Sequence, residues 1–216
     1  AGDPHVMFRT VQLAKEKNVA IGAHPGFPDL LGFGRRNMAM TPEEIYHMVL
    51  YQLGALSAFA QAHNTRLHHV KPHGALYNLA CKDETIARAI ARAVAHFDDR
   101  LILFGLSGSL LIKAGREAGL QVAEEVFADR TYQPDGTLTP RSHPNALITD
   151  VQEAARRVVQ MIREKKTEAV DGSILSISAD TVCLHGDSPQ AVQFARHLRE
   201  ALTREGIVIK RVESRK

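Results

Sequence analysis

The sequence predicts an α/β fold built on a parallel sheet. Two observations carry that reading. Short apolar runs alternate with longer segments of helical periodicity along all 216 residues. That order calls for a parallel sheet, either open and doubly wound or closed as a barrel. Four of the apolar runs also end at His, Lys, Asp or Glu beside Gly or Pro: His24-Pro25-Gly26, Lys71-Pro72-His73-Gly74, Asp129-Arg130 and His185-Gly186-Asp187. In parallel α/β folds the carboxyl ends of the strands share a face, and ligands bind there. The pattern therefore points to an enzyme site rather than a scaffold.

The elements follow in order. Asp3-Pro4 reads as an N-cap with proline at the first helical position, opening a helix over 4–17 with Val6, Phe8, Val11 and Leu13 as its apolar positions. Residues 19–23 read as a buried strand, and 26–40 as a Gly- and Pro-rich loop too long for a mere connector. Thr41-Pro42-Glu43-Glu44 has the order of a capping box, and its helix runs to 63. A strand at 67–70, a helix from Asp83 to 96, a strand at 101–104 and a helix from Ser107 to 119 come next. Residues 121–127 read as a strand and 128–146 as a second long loop, with Pro134-Asp135-Gly136 as its turn. The rest reads as a helix over 149–165, a short strand at 173–177, a strand at 182–184, a helix capped by Ser188-Pro189 and running to 204, and a last strand at 207–209. No linker, repeat or low-complexity segment divides the chain, so a single domain over 1–216 is expected.

Composition narrows the function classes. Apolar residues make up 44% and charged residues 24%, ordinary for a folded domain with a sizeable core. The net charge is +3 without a dense basic run, which argues against nucleic acid as a partner. No apolar run is long enough to span a membrane. Cys81 and Cys183 match no metal spacing, so a reducing compartment, the cytoplasm, is expected.

Each strand end has a chemical and a plain reading. Lys71 and His73 share a face with His69, and a strand lysine in a buried sheet needs a partner. His24 reads as a base, as a metal ligand, or as a histidine bonded to the following loop. Arg35 and Arg36 supply one anion grip and one solvated cation. Glu125 is a carboxylate inside a strand, where an unpaired charge is costly, and Lys71 is its natural partner. Asp129 with Arg130 reads as part of the site or as an ion pair anchoring the loop. Arg141, at the far end of that loop, reads as a closing group or as solvated. His185 beside Asp187 resembles a base with an orienting carboxylate, while Asp187 also suits a helix cap. Cys183 reads as a small core residue. Gly105-Leu106-Ser107-Gly108-Ser109 is a helix start; it is no Walker A loop, and Ser109 stands where a nucleophile elbow needs its second Gly. A serine hydrolase acting through Ser107 is accordingly disfavoured. Metal binding by His24, His73, His185 and the acids stays open, because no spacing fixes a site within one element.

Several of these stretches together resemble the LamB/YcsF family. They are Ile21-Gly22-Ala23-His24-Pro25-Gly26-Phe27-Pro28-Asp29 with Gly32-Phe33-Gly34-Arg35-Arg36, then Val70-Lys71-Pro72-His73-Gly74-Ala75-Leu76-Tyr77-Asn78, then Glu125-Val126-Phe127-Ala128-Asp129-Arg130 with Tyr132 and Asp135-Gly136, then Leu184-His185-Gly186-Asp187. The resemblance covers essentially the whole chain, in family order. It implies an irregular (β/α) barrel of the glycoside hydrolase/deacetylase type, here lacking its first two strands and so truncated at the N-terminus. A barrel left open, or completed by a partner, is the expectation. It also implies ATP-dependent opening of 5-oxoproline to glutamate as the A subunit of an enzyme with B and C subunits, with ATP, accompanied by Mg, as co-substrate and any protein-bound metal unknown. On that reading Lys71, His73, Glu125, Asp129 and His185 are catalytic. His24, Arg35, Tyr77, Asn78, Arg130, Arg141 and Asp187 bind substrate. Two alternatives are a metal-dependent amide hydrolase acting without ATP and a silent subunit that binds a small acid. A homo-oligomer is compatible with either.

Overall fold

The computed structural model describes residues 2–187 and 190–213. The chain divides into two compact units. One comprises the chain through Gly105 together with Ser109–Ala123, and the other comprises Leu106–Gly108 with Glu124–Val212.

The first unit opens with α1 (Pro4–Glu16). Asp3 caps it as expected, its carboxylate accepting from the Val6 N–H at 2.9 Å, with Pro4 at the first position. Of its four apolar positions only Val11 is buried; Val6, Phe8 and Leu13 are about half exposed, so the expected stripe is not the buried one. The next strand, β1 (Ile21–Ala23), starts late because Val19 lies in solvent. The capping box forms at α2 (Pro42–Ala62): Thr41 Oγ1 accepts from the Glu44 N–H, and Glu44 accepts from the Thr41 N–H. Then come β2 (Leu67–Val70), α3 (Gly74–Ala80), α4 (Glu84–Phe97), β3 (Ile102–Leu106) and α5 (Leu110–Glu117). The short helix α3 has no counterpart in the sequence reading. Asp83 caps α4 by accepting from the N–H groups of Thr85 and Ile86. Ser109, not Ser107, caps α5.

In this unit β1, β2 and β3 pair in parallel, Gly22 opposite His69 and Val70 opposite Leu103. Ile45, Val49 and Leu53 of α2, Leu76 of α3 and Ile90 and Val94 of α4 form one buried core with Val70 and Leu103. The ladder between β1 and β2 continues past both strands. The Lys71 N–H donates to the Ala23 carbonyl, and the His73 N–H donates to the Pro25 carbonyl. The residues after each strand are thus held as tightly as the strands themselves.

The second unit contains the end of β4 (Gln121–Phe127), α6 (Val151–Glu164), β5 (Lys166–Glu168), β6 (Ile174–Ser176), β7 (Thr181–Cys183) and α7 (Ala191–Arg204). β4 and β7 pair in parallel, Glu125 opposite Thr181 and Phe127 opposite Cys183. Ala128, Ala155, Val158, Leu198 and Leu202 form its core. The loop after β4 folds back at Pro134-Asp135-Gly136, where the Gln133 N–H donates to the Thr137 carbonyl and Gly136 adopts a positive φ of 81°. Two expectations change here. The β5–β6 antiparallel ribbon interrupts a strict β-α alternation. Residues 207–209 form no strand; Ile207 packs on the core while Val208 stays in solvent. The cap expected at Ser188-Pro189 lies outside the described residues.

Candidate functional site

Each unit presents a pair of titratable side chains where two parallel strands end. In the first, His24 follows β1, and His73 follows β2 as the N-cap of α3. His73 Nδ1 stands 2.9 Å from His24 Nε2. The outer nitrogens both meet carbonyls: His24 Nδ1 lies 2.7 Å from the Lys71 oxygen, and His73 Nε2 lies 2.6 Å from the Phe33 oxygen. Burial, reinforced by the charges of His73 and Lys71, pushes the His24 pKa down to about 3.

Glycines make this packing possible. A Cβ on Gly34 would stand 2.9 Å from His73 Cδ2, and one on Gly26 would stand 3.2 Å from His73 Cβ. Gly74 has φ +58°, and a Cβ there would reach the Gly34 carbonyl oxygen at 2.5 Å. Its role is therefore the approach of backbone to backbone, which seats the 26–40 loop on the start of α3. Gln52 of α2 completes the seat by bonding both the N–H and the carbonyl of Gly26.

The other predicted residues of this unit are distributed around the pair. Lys71 is half-buried, its Nζ 5.8 Å from the centre of the buried Tyr77 ring. Asn78 is exposed on α3. Arg35 is exposed with its guanidinium 5.3 Å from the Phe33 ring centre. Arg36 pairs with buried Asp29, and that hydrogen bond holds the carboxyl down to about 2. His69 stacks on Phe104 at 4.3 Å and lies over Gly22. Burial and the neighbouring charges of His68 and Lys71 lower its pKa to about 4.

In the second unit, Asp129 follows β4 and His185 follows β7. His185 Nδ1 donates to Asp129 Oδ2 at 2.6 Å. Asp187 is exposed, and the orienting carboxylate comes from the neighbouring parallel strand, which sequence proximity does not reveal. With Nδ1 carrying the proton, Nε2 presents the ring's lone pair. Asp129 Oδ1 and Arg130 Nε are both buried without a hydrogen-bond partner among the described residues. Arg130 is not simply the ion-pair mate of Asp129, because its Nη2 donates to the Thr139 carbonyl at 2.5 Å. Burial first, then the positive charge of exposed Arg141, lowers the Arg130 pKa to about 10. Two cations therefore lie close enough to disfavour one another, an arrangement that suits an anion. Glu125 is buried within β4.

Some contributors had little signal in the sequence. Phe33 and Thr139 act through backbone carbonyls, which any residue offers. Gln52 sits mid-helix with nothing local to mark it. Ser107 is absorbed structurally: its hydroxyl donates to Glu124 Oε2 and accepts from the Ser178 N–H, both at 2.8 Å. Cys183 is buried, in keeping with a core residue. Among the described residues no group of three or more His, Cys, Asp or Glu is arranged to hold a metal ion, and no helix is long and apolar enough to cross a membrane.

In α/β proteins with parallel strands, ligands characteristically bind at the carboxyl ends of those strands, where this chain carries its paired titratable groups. The LamB/YcsF family model matches residues 1–216, and the chain belongs to that family. It is 58% identical over 213 residues to the 5-oxoprolinase A subunit of Oceanobacillus iheyensis, covering 99% of this chain and 83% of that one. It is 62% identical to the protein of the same name from Geobacillus kaustophilus, over 97% of this chain and 82% of that one. A crystal structure of a lactam utilization protein from Thermus thermophilus superimposes with a TM-score of 0.87 at 53% identity, over 95% of this chain and 82% of that chain. The α/β fold expected from the sequence is thereby shared with a solved relative.

Proposed function

We propose that this protein is the A subunit of a 5-oxoprolinase, opening the lactam of 5-oxoproline to glutamate. The names and identities of its relatives support the substrate class. The observation that carries the chemistry is the His185–Asp129 pair, a base whose tautomer and direction are fixed by a half-buried carboxylate.

Opening the ring adds water to the amide carbon and breaks its bond to nitrogen, which leaves as an amine. A five-membered lactam resists this step. ATP activates the carbonyl by passing its terminal phosphoryl group to the amide oxygen with release of ADP, Mg accompanying the nucleotide; once water has added and the protonated nitrogen has left, a second water releases phosphate from the acyl phosphate that remains. His185 Nε2 takes the proton from the attacking water. Asp129 holds the ring through Nδ1, and Glu125 is a second acid, buried within β4. Lys71 and His73, at the strand ends of the first unit, offer positive charge to a carboxylate. Arg130 and Arg141 suit a second anionic group. The protein works with two further subunits, B and C, in the cytoplasm.

The test is glutamate formation from L-5-oxoproline with ATP and both further subunits, against mixtures lacking each component. Dependence on this chain and on ATP supports the reading. Equal glutamate without the chain, or none in the complete mixture, overturns it.

A further inference from the structure

The bonds of the histidine pair in the first unit determine how many protons it holds. A carbonyl oxygen only accepts, so each outer ring nitrogen must carry a proton: His24 Nδ1 toward Lys71 O at 2.7 Å, and His73 Nε2 toward Phe33 O at 2.6 Å. If both rings were neutral, the inner nitrogens would then be bare. Two lone pairs would face each other across 2.9 Å, where a hydrogen bond stands. A third proton resolves the conflict. We propose that His24 and His73 hold three ring protons between them and stand as a monocation which, with the Lys71 ammonium, receives the carboxylate of the lactam acid.

The environment assigns the charge to one ring. His24 is the more readily neutral partner, because burial pushes its pKa down to about 3. His73 is then the imidazolium, donating Nδ1–H inward to His24 and Nε2–H to Phe33. The charged and titratable groups drawn to the pair are Lys71, from the end of β2, and Arg35, over the Phe33 ring from the 26–40 loop. Phe33 sits edge-to-face with His73 at 5.1 Å. Both nitrogens of His73 are occupied, so it is a positioning residue that acts through its charge rather than by touching substrate.

The ligand half of this inference rests on the lactam-acid reading; the proton count does not. Ring-nitrogen NMR of histidine-labelled protein at pH 7 tests the count without any turnover. The expected spectrum shows His73 protonated at both nitrogens and His24 at Nδ1 alone. A total of two ring protons on the pair, or of four, overturns the proposal. The ligand half is read by titrating L-5-oxoproline against 2-pyrrolidinone, the same ring without the carboxylate. The acid should bind at least about tenfold more tightly, and His73→Gln should bring it toward the neutral lactam. Equal affinities, or no binding of the acid, overturn that half. Loss of turnover with the three-proton count intact counts against the proposed activity alone.

Discussion

Tyr132 and His69 are side chains whose chemistry is set by burial. The Tyr132 hydroxyl accepts from the Phe127 N–H at 3.0 Å, and burial raises its pKa above the ordinary tyrosine value. Tyr132→Phe strands that N–H at the end of β4. It should cost about 1–3 kcal/mol in urea unfolding. His69 makes a pH prediction with a definite sign. Its folded pKa is about 4, below the usual 6.5, so between those values the unfolded chain binds a proton that the folded chain refuses. Its contribution is complete above pH 6.5 and is lost as pH falls toward 4. The wild type should therefore lose roughly 3 kcal/mol more than His69→Gln over that interval, at about 1.4 kcal/mol for each tenfold change in proton affinity. Parallel losses in the two proteins would show that His69 titrates normally when folded.

Caps and turns were the most legible elements, because their signals are local. Asp3-Pro4, Thr41 with Glu44, Asp83 and the Pro134-Asp135-Gly136 turn all formed as the sequence indicated. Thr41→Ala should lower stability by about 1 kcal/mol and leave any turnover unchanged. Elements fixed by distant partners were not legible. β5 exists because β6 pairs with it, and 207–209 failed as a strand although its residues favour one. The contact of Asp129 with His185 likewise depends on distant partners, since the two residues follow paired strands. Gly74 stands between these cases. Its presence was legible, but its purpose was not until the Gly34 carbonyl appeared beside it. Gly74→Ala meets both a positive φ and that oxygen, so it should destabilise by about 2 kcal/mol or more and loosen the seat of the 26–40 loop. Faster amide exchange across that loop is the readout; unchanged exchange would refute the seat.

The full chain combines a widely shared fold with strand ends that carry its chemistry. Family membership was legible because the strand-end stretches recur together and in order, whereas the roles of their side chains depend on contacts between strands. On the proposed reading His185 transfers the proton and Asp129 orients its ring, while Lys71 is proposed separately as a source of positive charge in the first unit. The decisive measurement is the rate of glutamate release from L-5-oxoproline by His185→Gln and by Lys71→Met, each assembled with its partner subunits and ATP and compared with wild type. Both rates should fall by about a hundredfold or more while the unfolding midpoints hold. Rates within about twofold of wild type, from folded variants, would contradict the assignment of lactam opening to these groups.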